Sequence, residues 1–149
     1  MTRSKRMQTI NKVAQKKEQD AARILGQSRQ NLQLQNQRLS ELMQYREDYT
    51  RKFSASGNDG MDTRKLNEYR SFLHRLNQAI LQQREIITRA DRECQLRERA
   101  WLGTRTRTQA LDKVVERYQH EEQREVDRKE QKVQDEHALR LESRFKQET

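Results

Sequence analysis

The stretch SASGNDGMDT, residues 54–63, decides how this chain folds. Two of the four glycines fall inside it, beside Ser, Asn and Asp, and no other segment gathers such breakers. On either side lie long runs of Gln, Arg, Glu, Leu and Ala, all good helix formers, with no proline anywhere. The cluster therefore reads as one turn between two helices, with Asp62 or Thr63 able to cap the second. Gly26 and Gly103 stand alone among helix formers and weaken their helices by about 1 kcal/mol each without ending them.

Working outward from the turn, apolar residues recur every seven positions. Leu25, Leu32, Leu39 and Phe53 share one row, which Arg46 interrupts. Met7, Ala14, Ala21, Leu42 and Tyr49 share its companion, interrupted by Ser28 and Gln35. After the turn, Leu66, Leu73, Ile80, Ile87, Cys94, Trp101 and Val115 form a row broken at Thr108. Tyr69, Leu76, Ala90, Leu111 and Tyr118 form its companion, broken at Gln83, Arg97 and Thr104. Sustained heptads of this kind predict a coiled coil. The short turn favours an antiparallel pair within one chain, an all-α hairpin.

Folding about residue 58 would bring residue i opposite residue 117 − i and give a rod of about 75 Å at 1.5 Å per residue. The expected segments are a first helix over 1–53, the turn at 54–63, a paired second helix over 64–118 and a charged tail over 119–149, together one unit. Val126, Val133, Leu139, Leu141 and Phe145 share no row with the seam, so the tail is expected to overhang or fray beyond the last first-helix partner.

Composition agrees with a long thin fold. Only 31% of the 149 residues are hydrophobic and 37% are charged, too little apolar matter for a compact core. The formal net charge of +9 is uneven. Residues 1–17 hold six Lys and Arg and no acid, whereas residues 119–149 carry a net −2. The basic end points to an acidic partner. One cysteine, Cys94, excludes an internal disulfide and suits a reducing compartment. No apolar run has the length of a signal peptide or a membrane span.

Catalysis finds no foothold: phosphate-loop, nucleophile-elbow and zinc-protease motifs are missing, and His74, His120 and His137 lie far apart among charges. Cys94, on a seam row, would be buried and inert. No metal, cofactor or small-molecule ligand is expected. Basic residues before a leucine heptad invite comparison with bZIP proteins. Yet NKVAQKKEQ, residues 11–19, keeps Asn11 and Ala14 and lacks the other base-reading positions. Sequence-specific nucleic-acid binding is therefore not expected, and non-specific phosphate attraction or a scaffolding coiled coil remains the alternative. The row Phe72, Ala79, Ile86 flanks the second-helix seam. It either widens the seam or offers a docking face to another protein.

Several stretches together resemble the FliJ family of the flagellar type III export apparatus. They are DAARILG at 20–26, Tyr45 and Tyr49 closing the first helix, the glycine turn, YRSFLHRLNQAILQQ at 69–83, Trp101, and RTQALDKVVERY at 107–118. The resemblance implies an antiparallel two-helix coiled coil similar to the γ-subunit stalk of rotary ATPases, monomeric on its own. It implies a non-enzymatic stalk that enters the hexameric export ATPase ring by its terminal end, promotes ring assembly and contacts the membrane export gate. Binding to export chaperones of late flagellar substrates is implied as well, at the cytoplasmic face of the inner membrane at the flagellar base. On the family pattern the gate-facing surface corresponds to Phe72, Leu76, Ala79 and Gln83. The basic Arg3, Lys5, Arg6 and Lys12 would face the ATPase ring.

Overall fold

The computed structural model describes residues 1–57 and 62–148. Two helices account for nearly all of them, α1 over Arg3–Ser56 and α2 over Thr63–Glu148, packed against each other as an all-α helical hairpin. The expected turn falls partly outside the described residues, since 58–61 are not among them. Its flanks are defined. α1 continues past Phe53 to Ser56, whose hydroxyl donates to the Phe53 carbonyl at 3.0 Å and occupies an acceptor left over in the last turn. Asp62 caps α2: its carboxylate accepts from the Arg64 amide at 3.4 Å and its carbonyl from the Leu66 amide at 3.2 Å. At the other end Thr2 caps α1 in the same way, through the Lys5 amide at 3.3 Å and the Arg6 amide at 3.2 Å.

The described chain divides into two compact units, an inner one over Gln19–Gly103 and a terminal one formed by Met1–Glu18 with Thr104–Thr149. In the inner unit every position on the two α1 rows, from Ala21 to Phe53, is buried or half-buried. The two α2 rows behave likewise from Leu66 to Trp101, with one exception. That exception is Arg97, whose guanidinium turns outward to Glu93 at 2.8 Å. Leu25 at 4% exposure and Ile80 at 2% are the most enclosed aliphatic side chains. Each contributes about 1.5–3 kcal/mol by leaving water. Of the other seam residues expected from the heptads, Leu32, Leu39, Leu42, Tyr49, Leu66, Tyr69, Leu73, Ile87 and Trp101 are half-buried, as is Leu111 in the terminal unit. A two-helix seam has only one partner surface, so half-burial is the geometric norm for its large side chains.

The register corrects the expectation drawn from the turn. Folding about residue 58 would pair 35 with 82, 46 with 71, 11 with 106 and 4 with 113. The observed partners are Gln35 with Gln83, Arg46 with Asn77, Asn11 with Asp112 and Ser4 with Glu122. Part of the shift follows from the helix ends: α1 persists to Ser56 and α2 begins only at Thr63, so the midpoint lies beyond residue 58. As a result, pairing reaches past Tyr118, where the sequence offered no partner, because Glu122 meets Ser4. Beyond Glu122 the helix persists to Glu148 with all its residues exposed, including Val126, Val133, Leu139, Leu141 and Phe145.

Candidate docking flank and polar seam

In the inner unit the third row of α2 lies beside the seam. Phe72 and Ala79 are half-buried, and Ile86 is 38% exposed. Phe72 does not stand free. Its ring lies 4.5 Å from that of Tyr49, tilted, and 5.9 Å edge-on from that of Tyr45. Tyr49 in turn stacks on Tyr69 at 5.4 Å, and Tyr69 on Phe53 at 3.6 Å. Five rings from both helices thus form one cluster, with the Tyr69 hydroxyl near the Thr50 hydroxyl at 3.4 Å. Aromatic pairs of this kind add about 0.5–1.5 kcal/mol beyond their area. Tyr45, at 53% exposure, is the open edge of the cluster.

The four residues expected to face a partner therefore separate into two pairs. Phe72 and Ala79 occupy the flank, and Phe72 also serves the seam. Leu76, at 7% exposure, and Gln83, at 8%, are buried between the helices. The Gln83 side-chain amide donates to both the Gln35 backbone carbonyl and the Gln35 side-chain carbonyl, each at 2.9 Å. Gln35 passes the chain on, donating to Asn31 at 3.2 Å. Two residues that interrupt their heptads are thus each other's partner. A buried polar layer in a coiled coil costs stability and rewards one register, because any slip leaves an amide unpaired.

The opposite flank of the inner unit mixes cross-helix polar contacts with an apolar floor. Arg46, the interruption of its row, donates to Asn77 across the helices at 3.0 Å, and Arg29 approaches Glu98 at 3.9 Å. An open groove of about 1030 Å³ runs there, floored by Leu39, Met43 and Leu73 and walled by Asn36, Glu47 and Arg51. Cys94 lies in the seam, 9% exposed. Burial first, then the nearby Asp91 carboxylate, push its thiol up, while the Arg29 guanidinium opposes them. A thiol held protonated is a poor nucleophile.

In the terminal unit Arg3, Lys5, Arg6 and Lys12 are all exposed. The Arg3 guanidinium sits 5.9 Å over the Tyr118 ring, and that of Arg117 lies 5.7 Å from the same ring. The first turn of α1 contains no acid, an unfavourable start for a helix whose amino end carries partial positive charge. The missing carboxylate comes from the other helix. Glu122 accepts from the Ser4 amide at 3.0 Å and from the Ser4 hydroxyl at 2.7 Å. These two bonds, with help from the charge of Lys5, hold the Glu122 carboxyl below its usual range. Asn11 donates to Asp112 at 2.6 Å, while the Asn11 side-chain carbonyl is buried without a partner. Neither layer was legible from apolar rows. Continuing the row of Leu25 back through positions 18, 11 and 4, and that of Val115 forward to 122, would have found Ser4, Asn11 and Glu122, because seam positions repeat every seven residues whatever they carry, but not Asp112, one place beyond the row of Leu111.

Among the described residues no group of three or more His, Cys, Asp or Glu could hold a metal ion, and no helix is long and apolar enough to cross a membrane. Residues 3–147 match the family described as Flagellar FliJ protein. The chain is similar to the flagellar FliJ protein of Escherichia coli strain K12, 27% identical over 132 residues that span 89% of this chain and 90% of that one. It is also similar to the flagellar FliJ protein of Salmonella typhi, 28% identical over 134 residues, 90% of this chain and 91% of that one. No solved structure matches it significantly. A family match across almost the entire sequence, on a helical hairpin with a heptad seam, means that the chain belongs to the FliJ family of flagellar proteins.

Proposed function

We propose that this chain is a non-enzymatic stalk of the flagellar type III export apparatus, joining the export ATPase to the membrane export gate. The observation that carries the reading is the difference between the two flanks of the inner unit. One flank offers Tyr45, Ala79 and Ile86 as a partly exposed apolar strip, and the other is lined by Arg29, Asn36 and Arg46. The aromatic cluster and the apolar row favour the first flank for an apolar partner, because the groove on the second, though floored by Leu39, Met43 and Leu73, is walled by Glu47 and Arg51. In this reading the gate engages the Phe72–Ala79 flank, Leu76 shapes it from beneath, and Gln83 fixes the register that presents it. The terminal end, with Arg3, Lys5, Arg6 and Lys12, faces the hexameric ATPase ring and promotes its assembly. The chain works as a single hairpin and a monomer, and also receives export chaperones of late substrates. Its place is the cytoplasmic face of the inner membrane at the flagellar base.

The test is pull-down of the purified export ATPase and of the gate's cytoplasmic domain by the wild-type chain and by the Ala79→Asp, Ile86→Asp double variant. Neither residue belongs to the aromatic cluster, so helicity should hold. Loss of gate binding and motility with ATPase binding retained is the expected result. Retained gate binding would place the docking face elsewhere, and a dimer by light scattering would overturn the stalk.

A further inference from the structure

The terminal unit is closed by chemistry unlike that of the inner unit. Its buried apolar side chains are Ala14 and Val115, both small, whereas the inner unit buries Leu25, Leu76, Ile80, Ala90 and Cys94. Its remaining buried positions are polar: Ser4, Asn11 and Thr108. Thr108 turns its hydroxyl back to the Thr104 carbonyl at 3.0 Å and spends it within α2. Asn11 makes one strong bond to Asp112 and leaves its carbonyl buried and unpaired, a defect that costs about 1–3 kcal/mol. The last contact before the overhang is the Glu122 carboxylate on the amide and hydroxyl of Ser4.

We propose that the terminal unit is a clasp: the α1 segment Arg3–Glu18 releases from α2 while the inner unit stays paired, and the Glu122–Ser4 contact is its catch. The observations agree on the direction. Separation lets water reach the orphaned Asn11 carbonyl and uncovers only Ala14 and Val115 among buried apolar side chains, with Met7, Leu111, Val114 and Tyr118 half-buried to begin with. Against release stand the Asn11–Asp112 bond, the Arg3 guanidinium over Tyr118 and, at the very end, the carboxylate that compensates the acid-free first turn of α1. The groups facing it from α1 are Ser4 and the ammonium of Lys5. On α2, one turn to either side, lie Tyr118, beneath Arg3 and Arg117, and Glu125, paired with Lys129 at 3.9 Å. Local opening of such a segment is subglobal unfolding, with its own free energy below that of the whole.

Hydrogen exchange of the full chain at neutral pH, read by mass spectrometry, tests the clasp. Amides in residues 4–18 should exchange faster than those in 25–50 and 70–95. Glu122→Gln should accelerate residues 4–18 about fivefold, the usual effect of losing a helix cap, and leave the inner segments unchanged. Asn11→Leu with Asp112→Leu removes the orphan and adds apolar burial, so it should slow residues 4–18 at least as much. Equal acceleration of both segment sets by Glu122→Gln would mean the hairpin opens as one body. Unchanged exchange at 4–18 in Glu122→Gln would remove the catch, and either result overturns the proposal.

Discussion

The Gln35–Gln83 layer offers the sharpest measurement on this molecule, because it separates a residue that holds the hairpin from one that touches a partner. Replacing Gln83 with Leu removes two hydrogen bonds at 2.9 Å and leaves the Gln35 side-chain carbonyl buried without a donor. An orphaned buried amide costs about 2 kcal/mol, and the apolar surface that Leu buries returns about 1 kcal/mol. The single variant should lose about 1 kcal/mol, whereas Gln35→Leu should be near neutral, because the Gln83 amide keeps its bond to the backbone carbonyl of residue 35 and the lost side-chain bond is offset by the buried Leu. The double variant leaves no orphan, so it should be more stable than the parent by about 1 kcal/mol. The predicted non-additivity is then about 2 kcal/mol, within the range for residues in direct contact. Urea unfolding followed by circular dichroism, with midpoints compared at constant slope, gives all four corners of the cycle. Gate pull-down by the double variant adds the functional half. Because Gln83 is 8% exposed and its amide is spent on Gln35, binding should survive. Additive single effects would refute the layer. A stable, helical double variant that fails to bind the gate would show that the polar layer is needed for docking, through its register or by direct contact.

Other expectations follow from the same geometry. Phe72→Ala removes the ring between Tyr49 and Tyr45 and should cost about 2 kcal/mol, less than a fully buried Phe, seen as a lower urea midpoint. Gly26→Ala and Gly103→Ala meet nothing within 4 Å of the new methyl and lie in helix interiors. Each should stabilise by about 0.5–1 kcal/mol, a rise in melting temperature of about 1–4 °C. Glu122 has a folded pKa below its ordinary value, so its contribution is present above the ordinary carboxylate pKa of 4.5 and lost as pH falls through the lower folded value. The wild-type chain should therefore lose stability relative to Glu122→Gln only below about pH 4.5, and parallel pH curves for the two would exclude the contact.

Much of the fold was legible because a coiled coil is nearly a one-dimensional object. The breaker cluster at 54–63 marks where helices must end, and the leucine rows mark which face each helix buries. The third row at 72, 79 and 86 was visible for the same reason. Whether Phe72 widens the seam or faces outward was not, since that depends on where Tyr45 and Tyr49 arrive from the other helix. The polar seam residues were hardest to read. Apolar side chains announce a buried face by themselves, whereas Gln35, Arg46, Asn11 and Ser4 look like surface residues until their partners are known.

By itself the sequence determined helix content, the point of reversal, the seam of each helix and the charge imbalance, all consequences of local propensity and heptad spacing. Tertiary structure decided the register, and with it everything that depends on a partner residue. It set Gln83 against Gln35, put Asp112 beside Asn11, and closed Glu122 onto the amino end of α1. The physical reason is that apolar contact is non-directional and tolerates a shift of a turn, while a hydrogen bond between two buried groups does not.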